Sequence, residues 1–293
     1  MRIDHLLLFL LVTFTFGGVI AHAATTEPAQ KPTLFIIGDS TVKNGRDDGS
    51  NGQWGWGHIL PFYFDPKKIT VENDALGGTS SRTFFQTPKL WPATLNKIRP
   101  GDFLLLQFGH NDNTRPPESD TLRYRSTLPG NGEDTVEGPK SPSEKETIHS
   151  YGWYLRQIIQ QTKDKGATPI VCSLIPRNSW HDAKITRSPY AQWAREAADQ
   201  VGTTFLPLNE IIADKYDQLG QEKVTSTFFP ANEHTHTNWQ GAKLNAQCVV
   251  QGIRQLPNVP LKNFLLPNPP EIPTPPPPSP HIRPAPADPE LPK

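Results

Sequence analysis

Apolar residues along this chain fall into short runs separated by longer segments with helical spacing. The runs are Leu34–Ile37, Ile69–Val71, Phe103–Gln107, Ile170–Leu174 and Thr204–Leu208. Each is short and bounded by Gly, Pro or polar residues, so each predicts a strand. The runs are continuous rather than alternating, which predicts burial on both faces. Between them, Leu90–Ile98, Ile148–Lys163, Tyr190–Val201, Asn209–Leu219 and Trp239–Ile253 read as helices. Alternation of strand and helix predicts an α/β domain, a parallel sheet covered by helices on both faces. Thr114 to Lys145 breaks the rhythm. It is polar, rich in Pro and Gly, and long enough to be either a functional wall or a surface loop.

The two ends follow different rules. Leu6–Ile20 is almost wholly apolar, spans about 15 residues and precedes Ala21-His-Ala23, a small-x-small pattern. It is shorter than the ~20 residues a membrane span needs, so residues 1–23 read as a cleaved secretory signal. A lead-in then covers 24–32, and the globular domain runs 33–266. The remaining 27 residues, 267–293, hold 13 prolines. That composition predicts an extended, disordered, polyproline-like tail, a spacer or a ligand for a proline-binding partner. The expected location is outside the cytoplasm, periplasmic or extracellular.

Charge narrows the partners. Formal net charge is zero, with no basic block, so neither nucleic acid nor a membrane surface is expected as a partner. Cys172 and Cys248 are too few for a disulfide scaffold, and both read as buried free thiols, with one bridge as the alternative.

Candidate chemistry gathers at predicted strand ends. The first strand stops at Gly38-Asp39-Ser40, where Ser40 is either a helix cap or a nucleophile. The second leads to Gly77-Gly78, where a backbone N–H could approach a ligand closely. The third ends Gly109-His-Asn-Asp112, and Asn111 either makes a turn or donates to an oxyanion. His110 reads as a residue that orients this loop. Before the last helix stands Asn232-Glu-His-Thr-His236. Glu233 lies one helical turn behind His236 and can accept its Nδ1–H, leaving Nε2 as a base. His234 and His236 also suggest a metal pair, but no third ligand stands at diagnostic spacing and no metal is expected. Gly-x-Ser-x-Gly is absent, which disfavours the α/β-hydrolase elbow.

In this order Ser40, Gly78, Asn111, Glu233 and His236 resemble the blocks of the SGNH (GDSL-type) hydrolase superfamily. Further stretches narrow the likeness: Gly38-Asp-Ser-Thr-Val42, Gln53-Trp-Gly-Trp-Gly57, Asn73-Asp-Ala75, Gln107-Phe-Gly-His-Asn-Asp112, Tyr151-Gly-Trp-Tyr154, Pro176-Arg-Asn178 and His234-Thr-His-Thr237. Together they resemble rhamnogalacturonan acetylesterases from about Thr33 to about Leu256. The resemblance implies a three-layer α/β/α sandwich, flavodoxin-like, with five parallel strands. It implies Ser40 as nucleophile, His236 as base and Glu233 as acid, with an oxyanion hole from Ser40 N–H, Gly78 N–H and the Asn111 amide. It implies no cofactor and an acetylated plant cell-wall polysaccharide as substrate; a monomer is expected. Where this family carries Asp, this chain carries Glu233, so the loop must accommodate one more methylene. Trp54 and Trp56 are candidates to stack on sugar rings, or ordinary packing. Arg82 and Arg177 are candidates for a uronate carboxylate, or surface ion pairs. Acetylxylan, another acetylated glycan, a small acyl ester and a non-catalytic carbohydrate-binding protein are the rival expectations.

Overall fold

The computed structural model describes residues 30–275 except 45, 47, 48, 50 and 114, and the fold is that of the unit beginning at Lys31. The signal-peptide expectation for 1–23 lies outside the described residues, as do 24–29 of the lead-in and 276–293 of the tail. In chain order the strands are β1 Thr33–Gly38, β2 Thr70–Asn73, β3 Phe103–Gln107, β4 Thr135–Pro139, β5 Lys145–His149, β6 Thr168–Cys172, β7 Trp180–His181, β8 Lys184–Ile185 and β9 Thr204–Leu206. The helices are α1 Trp56–Ile59, α2 Ser81–Gln86, α3 Trp91–Lys97, α4 Tyr151–Asp164, α5 Pro189–Gln200, α6 Leu208–Leu219, α7 Gln221–Phe228 and α8 Trp239–Gln255.

All five strands expected from the apolar runs join one parallel sheet in the order β2-β1-β3-β6-β9. Side chains alternate across it, as a period of two requires. Leu34 and Ile36 pack with Phe103, Leu105 and Ile170 on one face, against Ile212 of α6 and Val249 of α8. Phe35 and Ile37 pack with Leu104, Leu106 and Val171 on the other, against Phe84, Trp91, Ile158 and Ala194 of α2 to α5. These four β1 side chains are at most 2% exposed. Burying each stabilises the fold by roughly 1.5–3 kcal/mol, which explains continuous rather than alternating apolar strands. The result is three layers, α/β/α.

Strand order reverses at β1, whose neighbours on its two sides are β2 and β3. Open α/β sheets bind ligands at such a switch point, beyond the carboxyl ends of the strands. The register makes those ends level, because Gly38 is paired with Gln107 and Ile36 with Asn73. Gly38 is required there. A Cβ would stand 2.5 Å from Val42 Cγ2 and 2.6 Å from Gln107 O.

Several local expectations change. The helix expected from Ile148 starts at Tyr151, where Ser150 caps it by accepting from Trp153 N–H, and Ile148 and His149 end β5 instead. The long polar segment contains the β4–β5 hairpin, whose only fully enclosed apolar side chain is Ile148. Ile272 corrects the tail boundary. It is 4% exposed and packs in the core, since an extended Pro-flanked segment can still insert one branched side chain. Cys172 and Cys248 are both free and buried. Burial raises both thiols, Cys248 to about 12, so they stay protonated at neutral pH.

Candidate active site

Ser40 lies in the first turn after β1. Asp39 builds that turn by accepting from Thr41 N–H at 2.9 Å and Thr41 Oγ1–H at 2.7 Å. Its own carbonyl accepts from Val42 and Lys43. No helix begins here; α1 starts at Trp56, so Ser40 is not a helix cap. The side chain is left facing out of the sheet edge, with Oγ 2.8 Å from His236 Nε2.

His236 arrives from the loop before α8, which Asn238 caps by accepting from Gly241 N–H. Glu233 organises that loop. Its Oε1 accepts from the backbone N–H groups of His234, Thr235 and His236 at 2.9, 2.7 and 3.1 Å. Its Oε2 lies 3.2 Å from His236 Nδ1, a close contact off the straight hydrogen-bond line. Oε2 also accepts from Gln53 Nε2 at 2.8 Å. Burial alone would raise this carboxyl. The close His236 side chain and the bonds from the Thr235 and His236 backbone outweigh it and hold it down at about 2. The longer Glu thus serves both purposes, one oxygen tying the turn and the other facing the imidazole. An ionised partner at Nδ1 favours the tautomer whose Nε2 can accept the Ser40 proton.

Two loops converge on Ser40 from either side. Leu76 N–H donates to Gly38 O at 3.0 Å, laying the Gly77-Gly78 loop against the end of β1. Gly78 has φ +83°, a left-handed conformation that an L side chain resists. Asn111, from the loop after β3, donates from Nδ2 to Thr79 O at 2.8 Å. Its second amide proton remains for a ligand. Ser40, Gly78, Asn111, Glu233 and His236 are therefore brought to one sheet edge from four separate segments.

Residues 36–244 match the model of the GDSL-like lipase/acylhydrolase family. This chain belongs to that family. It is 30% identical over 229 residues to a probable rhamnogalacturonan acetylesterase of Bacillus subtilis, covering 76% of this chain and 93% of that one. It is 26% identical over 223 residues to a rhamnogalacturonan acetylesterase of Emericella nidulans, covering 75% and 84%. A crystal structure of the Bacillus subtilis protein YxiM superposes with a TM-score of 0.61 at 27% identity, covering 78% of this chain and 58% of that one. This chain thus spans under two thirds of YxiM. As a GDSL hydrolase with acetylesterase relatives, the protein is a carboxylic-ester hydrolase of SGNH type.

In this GDSL hydrolase a buried polar layer supports the site, and most of it was read from sequence only as turn residues. His110 Nδ1 lies 3.1 Å from Asp39 Oδ2, and its Nε2 lies 3.1 Å from Ile175 O. It bridges the Ser40 turn to the chain after β6, the orienting role expected of it. Burial would raise Asp39, but the charge and hydrogen bond of His110 and the Thr41 bonds outweigh it and keep the carboxyl low. Asp112 differs. Its Oδ1 accepts from Ser81 N–H and Oγ–H, while Oδ2 has no partner, and burial pushes the carboxyl up to about 7.

Three substrate-binding expectations are corrected. Trp56 is fully enclosed, with Nε1 donating to Gln107 Oε1 at 2.9 Å. Trp54 is 8% exposed, and its ring packs edge-on to Trp239 with centroids 4.8 Å apart. Neither ring presents a face for a sugar. Arg82 is fully enclosed and bonds Glu146, Ser126 O and Pro139 O. It ties α2 to the β4–β5 hairpin and cannot reach a substrate. Arg177 is exposed at the site.

Proposed function

We propose that this acetylesterase removes O-acetyl groups from the rhamnogalacturonan backbone of pectin through an acetyl-enzyme on Ser40. The observation that carries the mechanism is the 2.8 Å contact between Ser40 Oγ and His236 Nε2, backed by ionised Glu233. Ser40 Oγ attacks the acetyl carbonyl carbon while His236 takes the hydroxyl proton. The oxyanion is met by the Ser40 and Gly78 N–H groups and the Asn111 amide. Collapse breaks the ester bond, and His236 returns its proton to the departing sugar oxygen. Water, deprotonated by His236, then releases acetate and restores Ser40.

The substrate part of the proposal is supported by relatives named as rhamnogalacturonan acetylesterases, the two described above among them. Export belongs to the same proposal and rests on the apolar run Leu6–Ile20. Monomeric action is likewise proposed, and sedimentation would test it.

The test is acetate release from acetylated rhamnogalacturonan and from acetylated xylan, by wild type and by Ser40→Ala. The proposal expects faster release from rhamnogalacturonan and a loss of about 10⁴ or more in the variant. Faster release from xylan would move the substrate. Equal release by Ser40→Ala would remove the mechanism.

A further inference from the structure

Arg177 occupies the seam between the two loops that deliver the base and the oxyanion donor. Its Nη1 donates to Thr235 Oγ1 at 2.8 Å, and Thr235 is the chain neighbour of His236. Its Nη2 donates to His110 O at 2.8 Å, and His110 is the neighbour of Asn111.

The backbone around Arg177 is held. Pro176 precedes it and fixes its own φ. Asn178 N–H donates to His234 O at 2.7 Å, and Ser179 N–H donates to Arg177 O at 2.8 Å. Asn178 Oδ1 accepts from Trp180 Nε1 and Thr225 Oγ1 at 2.8 and 3.1 Å. A guanidinium mounted this way loses little freedom on binding.

Its charge is unmatched. Arg82, Arg156 and Arg187 each pair with a carboxylate. Arg177 is exposed and bonds only neutral oxygens; no carboxylate of the described residues pairs with it. Of the five N–H donors a guanidinium carries, these bonds use two, leaving three directed elsewhere. A fixed, uncompensated planar fork suits a carboxylate better than a neutral hydroxyl.

We propose that Arg177 forms a carboxylate subsite beside Ser40, binding a uronate of the acetylated polysaccharide and selecting acidic over neutral acetylated glycans. The inference rests on the rhamnogalacturonan reading and goes further by assigning the residue that distinguishes the substrate.

The experiment compares kcat/KM for acetylated rhamnogalacturonan oligosaccharides with free carboxylates against the same oligosaccharides methyl-esterified at those carboxylates. The ratio of the two is read, so a general loss of catalysis cancels. Wild type is expected to prefer the free acid by about tenfold or more, a preference that shrinks with added salt. In Arg177→Gln the ratio falls to near one. In Arg177→Lys, which keeps charge without the fork, it is intermediate. A ratio that survives in Arg177→Gln, or a wild-type ratio near one, overturns the inference. If wild type prefers acetylated xylan to acetylated rhamnogalacturonan, the substrate reading fails first and separately.

Discussion

Gln53 donates to the very oxygen of Glu233 that faces His236. Its Nε2 lies 2.8 Å from Oε2, while its Oε1 accepts from Asn44 and Asn51 at 2.9 and 3.2 Å. The amide is therefore fixed at both ends. It keeps the longer Glu side chain from swinging away from the imidazole. Gln53 acts through Glu233 and not on the reacting atoms, which makes it a positioning residue.

Gln53→Ala should lower kcat by roughly 10–100-fold, the worth of one hydrogen bond to a charged group, with KM nearly unchanged. Steady-state kinetics on an acetyl ester measures both. A kcat within twofold of wild type would show that Glu233 needs no such support.

Asn111→Ala should cost about 10²–10³ in kcat by removing one oxyanion donor. The variant also leaves Thr79 O without its bond, so thermal unfolding should be recorded alongside. A loss seen only in KM would contradict the oxyanion role.

Glu233 should contribute acid-sensitive stability. Its carboxyl is held at about 2 in the fold against an ordinary 4.5. The unfolded chain therefore binds the proton first, and the contribution is full above about pH 4.5 and lost as pH falls to about 2. Allowing for partial exposure, it is on the order of 1–2 kcal/mol. Urea unfolding of wild type and Glu233→Gln should show a gap that is widest at neutral pH and closes near pH 2. A gap independent of pH would sink the assignment.

Asp112 should act in the opposite direction. Its carboxyl is raised to about 7 from 3.8, so the folded protein holds the proton where the unfolded chain releases it. Stability is full below the ordinary carboxyl value and declines as pH rises toward 7. Asp112→Asn imitates the protonated form. It should match wild type near pH 4 and exceed it by on the order of 2–4 kcal/mol above pH 7. Parallel denaturation curves across that range are the measurement, and curves that never separate would refute it.

The three central strands were legible because β1, β3 and β6 are compact apolar runs, and burial on both faces leaves that signature; the edge strands β2 and β9 are only partly buried and carry it more weakly. Ser40, Asn111, Glu233 and His236 stood out as candidates because strand ends and helix starts are marked by Gly, Asn and Asp, while their roles were implied by the resemblance to SGNH hydrolases. The β4–β5 hairpin was not, since a solvated ribbon with one enclosed Ile has no period to read. Helix α2 escaped for a related reason. It has six residues, too few for periodicity, and only its Ser80–Thr83 capping box announces it. For the tryptophans and Arg82 the sequence left substrate contact open beside packing and an ion pair, because it lists aromatic and charged side chains without saying which way the backbone turns them. Gln53 and Asp112 were missed because their roles depend on partners 180 and 31 residues away.

The long polar segment between β3 and α4 reaches the back of the oxyanion loop. Arg125 Nη1 donates to Gly78 O at 3.0 Å, and Thr127 N–H donates to Asp112 O at 3.0 Å. The stretch a protein engineer would exchange to retarget this esterase thus also holds the Gly78–Thr79 peptide, the one that follows the Gly78 N–H. Grafts here will alter turnover along with preference unless they carry an arginine at position 125. A graft that keeps Arg125 is expected to keep the backbone of the Gly78 loop in place.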